Sequence, residues 1–210
     1  MKARPAIVVL AAGLGSRFGG TQHKLTQSLG ASSVLGTTLR HALATHLPVI
    51  VVATEPLAEE AASHVATRDI VLLPVVGSDS PANAKRLGMG FSIASGVAAC
   101  SDAAGWLVLP GDMPMVQPAT LLAVARQLDH HPVSYAQYKG RRGHPVGFAT
   151  ELYTELVTLT GDEGARRLLA RYPAQAVEVD DSGVLMDVDN ESDLDKVRAA
   201  YLPSLFGDSR

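Results

Sequence analysis

The side chains most able to do chemistry in this sequence gather in a glycine-rich stretch near its start. Ala11-Ala12-Gly13-Leu14-Gly15-Ser16-Arg17-Phe18-Gly19-Gly20 is followed shortly by Lys24. Glycines let backbone N–H groups turn inward and form an anion-binding concavity. Arg17 and Lys24 add two charges suited to a polyphosphate. The plainer account is a flexible turn with solvated cations, but a turn rarely needs four glycines and an arginine within eight residues. Two familiar phosphate loops fail on spacing. The dinucleotide pattern G-x-G-x-x-G would need glycine where Phe18 stands, and the P-loop would need lysine where Thr21 follows Gly20. No acidic residue lies between Arg17 and Glu55, so the ribose-binding carboxylate of a dinucleotide fold is missing as well.

Carboxylates stand at two later positions. Gly111-Asp112-Met113-Pro114 follows the apolar run Trp106–Leu109, and a carboxylate at the carboxyl end of a strand faces the same crevice as the first loop. That is where a Mg²⁺ ligand is expected, although Asp is also common in turns. In Met186-Asp187-Val188-Asp189-Asn190, strand alternation would put Asp187 and Asp189 on one side of the chain. Asp189 or Asn190 could equally cap the helix that follows. Gly140-Arg141-Arg142-Gly143-His144-Pro145-Val146 reads as a hairpin tip with solvent-facing cations. His144 has no second His or Cys at metal-ligand spacing, which leaves acid–base, hydrogen-bonding or purely structural work. Cys100, the only cysteine, lies in an Ala-rich stretch and reads as a small buried hydrophobe rather than a nucleophile.

Ordered elements must bring these positions together. Ala6–Leu10, Pro48–Ala53, Ile70–Val76 and Gly105–Leu109 are apolar, largely β-branched runs, the pattern of strands buried on both faces. Helical stretches are predicted between them at Ser33–His46, Leu57–Ala66, Ala84–Ala99 and Pro118–Leu128, with Pro118 well placed as a first helical residue. This fourfold alternation predicts βαβ units, a parallel sheet and helices on both faces. After residue 130 a hairpin is expected from Val133–Tyr138 and Pro145–Ala149. Short helices follow at Glu151–Leu159 and Asp162–Arg171, then strands near Ala176–Val179 and Val184–Val188, and a final helix at about Glu191–Tyr201. Residues 1–202 read as one domain and 203–210 as a frayed tail. The 210 residues carry 47% hydrophobic and 19% charged side chains, a globular composition.

The net charge of −3 offers no basic excess for nucleic-acid binding. The single cysteine fits a reducing, cytoplasmic setting. The apolar run Ala6–Ala12 leads straight into the glycine loop and reads as a strand, not a leader, and no run approaches the roughly 18 apolar residues of a membrane span.

Taken in order, these motifs carry a family resemblance. Leu10-Ala11-Ala12-Gly13-x-Gly15-Ser16-Arg17-Phe18-Gly19 with Lys24 resembles the signature loop of nucleotidyltransferases that activate sugars, isoprenoid precursors and molybdopterin. It is most similar to molybdenum cofactor cytidylyltransferases and related MobA-like NTP transferases. The resemblance implies an α/β, three-layer Rossmann-like nucleotidyltransferase fold, with a mostly parallel sheet, helices on both faces and a hairpin insertion. It implies that Leu10, Ala11, Ala12, Gly13, Gly15, Ser16, Arg17 and Lys24 hold a nucleoside triphosphate. Arg17 and Lys24 would stabilise charge as the α-phosphate is attacked. Lys24 stands seven residues after Arg17, a longer interval than close relatives often use.

By the same resemblance, Asp112 and Asp189 bind Mg²⁺ (Mn²⁺ as the alternative ion), with Asp112 catalytic. Ser92, in Gly88-Met89-x-x-Ser92, lies by the base and ribose, and its neighbouring glycines suggest close ligand approach. His144 and Arg142 lie by the acceptor, where His144 could contact or deprotonate the acceptor phosphate. Gly161-Asp162-Glu163-Gly164-Ala165-Arg166 matches too and reads as a helix start capped by Asp162. The implied reaction moves NMP, CMP from CTP in the leading reading, onto a small phosphorylated acceptor such as molybdopterin cofactor. The implied partners are therefore a nucleoside triphosphate, that acceptor and, transiently, an enzyme receiving the product; no nucleic acid or membrane is implied. A guanylyltransferase, favoured by Phe18-Gly19-Gly20, another small-metabolite nucleotidyltransferase of the same fold, for instance with a sugar phosphate as acceptor, and a non-catalytic NTP-binding regulator are the alternatives.

Overall fold

The computed structural model describes residues 3–13, 18, 23–74, 88–161 and 164–206. Its centre is a seven-stranded sheet in the order β5-β4-β1-β6-β8-β7-β9. These strands are β1 (Ala6–Ala11), β4 (Val49–Thr54), β5 (Ile70–Leu73), β6 (Gly105–Pro110), β7 (Val133–Tyr138), β8 (Arg141–Ala149) and β9 (Ala174–Glu178). A small antiparallel pair, β2 (Ser28–Leu29) and β3 (Ser32–Ser33), lies apart. β5, β4, β1 and β6 pair in parallel. β8 runs antiparallel to both β6 and β7, and β9 returns parallel to β7. The sheet is thus mostly parallel with one reversed strand, and the expected hairpin is built into it.

Period-two alternation decides which face each side chain covers. On one face, Ile7, Val9, Val49, Val51, Leu107 and Leu109 pack with residues of α1 (Val34–Leu43), α2 (Glu55–Ala62), α4 (Pro118–Gln127) and α7 (Glu191–Phe206). On the other, Ala6, Val8, Ile50, Val52, Trp106 and Val108 meet α3 (Met89–Ala99), α5 (Tyr153–Val157) and α6 (Arg166–Arg171). Burial of both faces explains why the β1, β4 and β6 runs are apolar without interruption. The architecture is the mixed three-layer α/β fold expected from the alternation.

Local rules set the helix starts. Ser33 caps α1 by accepting from the Gly36 N–H at 2.8 Å, and Pro118 occupies the first turn of α4. The side chain that satisfies the entry to α4 comes from far along the chain. Asp181 Oδ2 accepts from the Gln117 N–H at 2.9 Å and the Thr120 hydroxyl at 2.7 Å, while Oδ1 accepts from the Gly183 N–H at 2.9 Å. Asp181 is buried, so Asp181→Ala leaves three donors without this acceptor. We expect a loss of about 2 kcal/mol or more, read as a lower urea midpoint at unchanged m-value. An unchanged midpoint would show that the three donors find other partners.

Four expectations need correction. Val184–Val188 is not a strand: Asp181 closes a 3₁₀ turn at Ser182–Leu185, and residues 186–189 join no sheet. The last helix runs to Phe206, past the expected tail boundary at 203. The hairpin turn is only Lys139-Gly140, both at positive φ (50° and 74°), and β8 begins at Arg141. Gly90 answers to the protein's own backbone, not to a ligand. A Cβ there would lie 2.7 Å from the Thr160 carbonyl oxygen, and its N–H donates to Gly161 O at 2.8 Å. The proposed cap Asp162 lies outside the described residues; α6 begins at Arg166 with Ala165 in the cap position.

Candidate active site

The carboxyl ends of β1 and β6 are tied together, because Gly111 N–H donates to Leu10 O at 2.8 Å. Asp112, the next residue, therefore stands at the carboxyl end of β1. The segment after the 3₁₀ turn is pinned to the same place by a Val188 N–H bond to Asp112 O, 3.0 Å. That bond puts Asp189 next to Asp112 although 77 residues separate them. Asn190 caps α7 by accepting from the Asp193 N–H at 3.0 Å, so the capping role falls to Asn190 and the Asp189 carboxylate is turned to another partner.

That partner is Lys24. Its Nζ lies 2.6 Å from Asp112 Oδ2 and 3.0 Å from Asp189 Oδ1. Burial alone would lower the lysine's pKa, but the two carboxylates outweigh it and hold the ammonium above its ordinary value. Asp112 Oδ1 is buried and has no hydrogen-bond partner. Two carboxylates sharing one cation, with a buried acceptor to spare, make a donor set suited to a hard divalent ion. Among the described residues, no three His, Cys, Asp or Glu side chains gather into a metal cluster. A cation held by Asp112 and Asp189 would draw its remaining ligands from water or phosphate oxygens, the habit of Mg²⁺ at nucleotide sites. Asp187, expected on the same side as Asp189, is exposed.

β8 brings in the next residue through an irregular register. Arg142 pairs with Gln137 and Val146 with Tyr135, so residues 143–145 oppose Ala136 alone. Pro145 has no N–H to donate, which suits it to such a bulge. His144 comes beside Val108 and Asp112 there. Its Nδ1 is buried without a partner, although the residue as a whole keeps some exposure. Burial lowers its pKa, partly offset by Asp112, the Val108 backbone and Asp187, so the ring is neutral at pH 7. Arg142 is exposed and lies 4.3 Å over the centre of the Tyr135 ring, a cation–π contact that steadies the guanidinium.

Other expected site residues fall as follows. Leu10, Ala11, Ala12 and Gly13 line the end of β1 and the step beyond it. Gly15, Ser16 and Arg17 lie outside the described residues. Ser92 is buried in the second turn of α3. Cys100 is buried, its thiol donates to Gly96 O at 3.2 Å, and burial pushes its pKa up to about 11; this is the structural cysteine expected. His23, to which the sequence pointed no role, bonds to Gly13 and Leu25. Only the adjacency of Gly13 and Lys24 in space reveals it.

His41 adds a pH dependence remote from these carboxylates. Its Nδ1 lies 2.9 Å from Val116 O, and burial lowers its pKa, partly offset by the Val116 backbone. For His41 and His144 the folded value lies below the ordinary 6.5, so below pH 6.5 the unfolded chain binds more protons. Stability is therefore complete above that pH and falls as the pH drops toward the folded values, by up to about 1.4 kcal/mol per pH unit per group. Urea unfolding at pH 7.5 and 5.5 should show this loss, and His41→Gln should make it shallower. An equal pH slope in the variant would acquit His41.

Comparison with known sequences supplies the family. The profile of the MobA-like NTP transferase domain matches residues 7–177. The chain belongs to this family. The purine catabolism protein PucB of Bacillus subtilis is 36% identical over 118 residues, 54% of this chain and 57% of PucB; the chain thus spans little more than half the length of that curated relative. Among solved structures, the homolog of Mycobacterium tuberculosis Rv0371c from Mycobacterium sp. strain JC1 is 26% identical, with a TM-score of 0.81 over 97% of this chain and 100% of that one. Rv0371c of Mycobacterium tuberculosis H37Rv in complex with manganese is 25% identical, with a TM-score of 0.76 over 95% and 100% of the two chains. Asp189 lies beyond the stretch the family profile covers. No helix among the described residues is long and apolar enough to cross a membrane.

Proposed function

We propose that this MobA-like NTP transferase moves CMP from CTP to a small phosphorylated acceptor, molybdopterin cofactor in the leading reading, in a Mg²⁺-dependent reaction. The observation that carries the proposal is the meeting of Lys24, Asp112 and Asp189 beyond the carboxyl ends of β1 and β6, beside His144. An oxygen of the acceptor phosphate forms a bond to the α-phosphorus, the bond from that phosphorus to the bridging oxygen breaks, and its electron pair leaves with pyrophosphate. Asp112 and Asp189 would hold the metal, which when bound neutralises phosphate charge. Lys24 turns its ammonium to the triphosphate, and Arg17 shares that work. Leu10 to Gly13, Gly15 and Ser16 offer backbone groups to the phosphates, and Ser92 lies toward the nucleoside.

His144 and Arg142 serve the acceptor side. A phosphate dianion is already a nucleophile, so the neutral His144 ring has only to orient it, and the Arg142 guanidinium can meet its charge. Catalysis on this account is positioning and charge neutralisation with no covalent enzyme intermediate. The product passes to an enzyme that accepts it by transient contact.

Pyrophosphate release measured with each of the four NTPs and Mg²⁺, with and without molybdopterin cofactor, tests the proposal. Release with CTP alone, and only when acceptor is present, is the expected result. GTP-dependent release would replace CTP by GTP. Tight CTP binding with no pyrophosphate under any condition would make the chain an NTP-binding regulator and sink the proposal.

A further inference from the structure

Lys24 is presented by a short 3₁₀ turn, Lys24–Thr26, and His23 stands at the cap of that turn. The His23 ring uses both nitrogens. Nδ1 accepts from the Leu25 N–H at 3.2 Å, and Nε2 lies 2.9 Å from the carbonyl oxygen of Gly13. A nitrogen that accepts carries no hydrogen, and a carbonyl oxygen can only accept. The neutral tautomer with its hydrogen on Nε2 is therefore the form that makes both bonds. The backbone is fixed at the same point, because His23 O accepts from the Thr26 N–H at 3.0 Å and the Thr26 hydroxyl at 2.9 Å. Gly13 in turn leaves β1, whose end is tied to Gly111. The chain running from β1 to the Asp112 edge, and the turn that carries Lys24, are thus joined by one imidazole.

We propose that His23 is a positioning residue that sets Lys24 against Asp112 and Asp189 by tying its turn to the Gly13 carbonyl. This rests on the reading of Lys24 as a phosphate-facing residue of a nucleotidyl transfer site. The cap and the tie are separable. Asn is a favoured cap residue, so His23→Asn keeps an acceptor for the Leu25 N–H but is too short to reach Gly13. His23→Gln can still offer an amide N–H toward Gly13.

Three measurements decide the matter. His23→Asn should lower kcat for pyrophosphate release about tenfold, the scale of one lost neutral hydrogen bond, with thermal stability near that of the parent, and His23→Gln should lose clearly less. In a Lys24→Ala background, His23→Asn should have no further effect, because a residue acting through Lys24 has nothing left to position. Acylation of lysines followed by mass spectrometry should show Lys24 protected in the parent and labelled severalfold faster in His23→Asn, relative to the exposed Lys196. Parent-like kcat in His23→Asn, equal losses for Asn and Gln, or an additive loss in the Lys24→Ala background would each overturn the proposal. A parent protein that releases no pyrophosphate would defeat the nucleotidyl-transfer reading instead. In that case the labelling still decides whether His23 holds Lys24 in place: unchanged Lys24 labelling in His23→Asn would overturn it.

Discussion

Replacing Asp112 by alanine is expected to lower metal-dependent pyrophosphate release by about a thousandfold, the upper range for loss of one charge-stabilising group. Asp112 makes the shorter contact to Lys24, 2.6 Å against 3.0 Å for Asp189, and is the less exposed of the two carboxylates, 17% against 34%. It also carries the buried oxygen without a partner, and its backbone carbonyl anchors Val188. The side chain can be removed without disturbing that anchor, so the fold should survive and the loss should be chemical. Asp112→Asn, which keeps the shape and removes the charge, should fall nearly as far. Asp189→Ala should fall less, because its position is more open to water. Near-normal turnover in Asp112→Ala at matched Mg²⁺ would remove Asp112 from the catalytic account.

Gly143→Ala should be strongly damaging to both stability and turnover. A Cβ at Gly143 would lie 2.2 Å from the Val184 carbonyl oxygen and 2.8 Å from its carbon. These are backbone atoms of a 3₁₀ turn already held by Asp181, so no flexible side-chain end can swing aside. Either the β8 bulge or the 182–189 segment must move, and overpacking of this kind costs about 3 kcal/mol or more. For a chain of this length that corresponds to a melting temperature lower by roughly 10 °C. The segment that moves carries Asp189, so turnover should fall even at temperatures where the variant is fully folded. A Gly143→Ala protein with parental melting temperature and parental turnover would contradict this packing.

The contrast between what could and could not be read from the sequence has physical causes. β1, β4 and β6 were legible because strands buried on both faces need unbroken apolar runs. Asp112 was legible as a carboxylate at the end of such a run, Lys24 as a cation following the glycine-rich stretch and Asp189 as a carboxylate ahead of a helix, and the three side chains do converge. Val184–Val188 misled because Val184, Met186 and Val188 alternate as a strand does, while pairing depends on a neighbour that the alternation cannot report. Gly90 misled because close approach of the Thr160 backbone and close approach of a ligand leave the same mark on a sequence. His23 gave no mark at all. Its partner is a carbonyl ten residues away, and any residue type could have supplied that carbonyl.

The Val188–Asp112 bond also bears on the order in which the site comes into being. The ribosome makes Lys24 and Asp112 well before Asp189, and the strands that flank them, β1, β4 and β6, are complete by residue 110. A nascent chain can therefore pair Lys24 with one carboxylate while the second has yet to be synthesised. Only when the 182–189 segment lays itself along the end of β6 does the chain acquire both carboxylates. The site matures late in translation, and an incomplete chain released before that point would carry a formed sheet but half of its acidic pair.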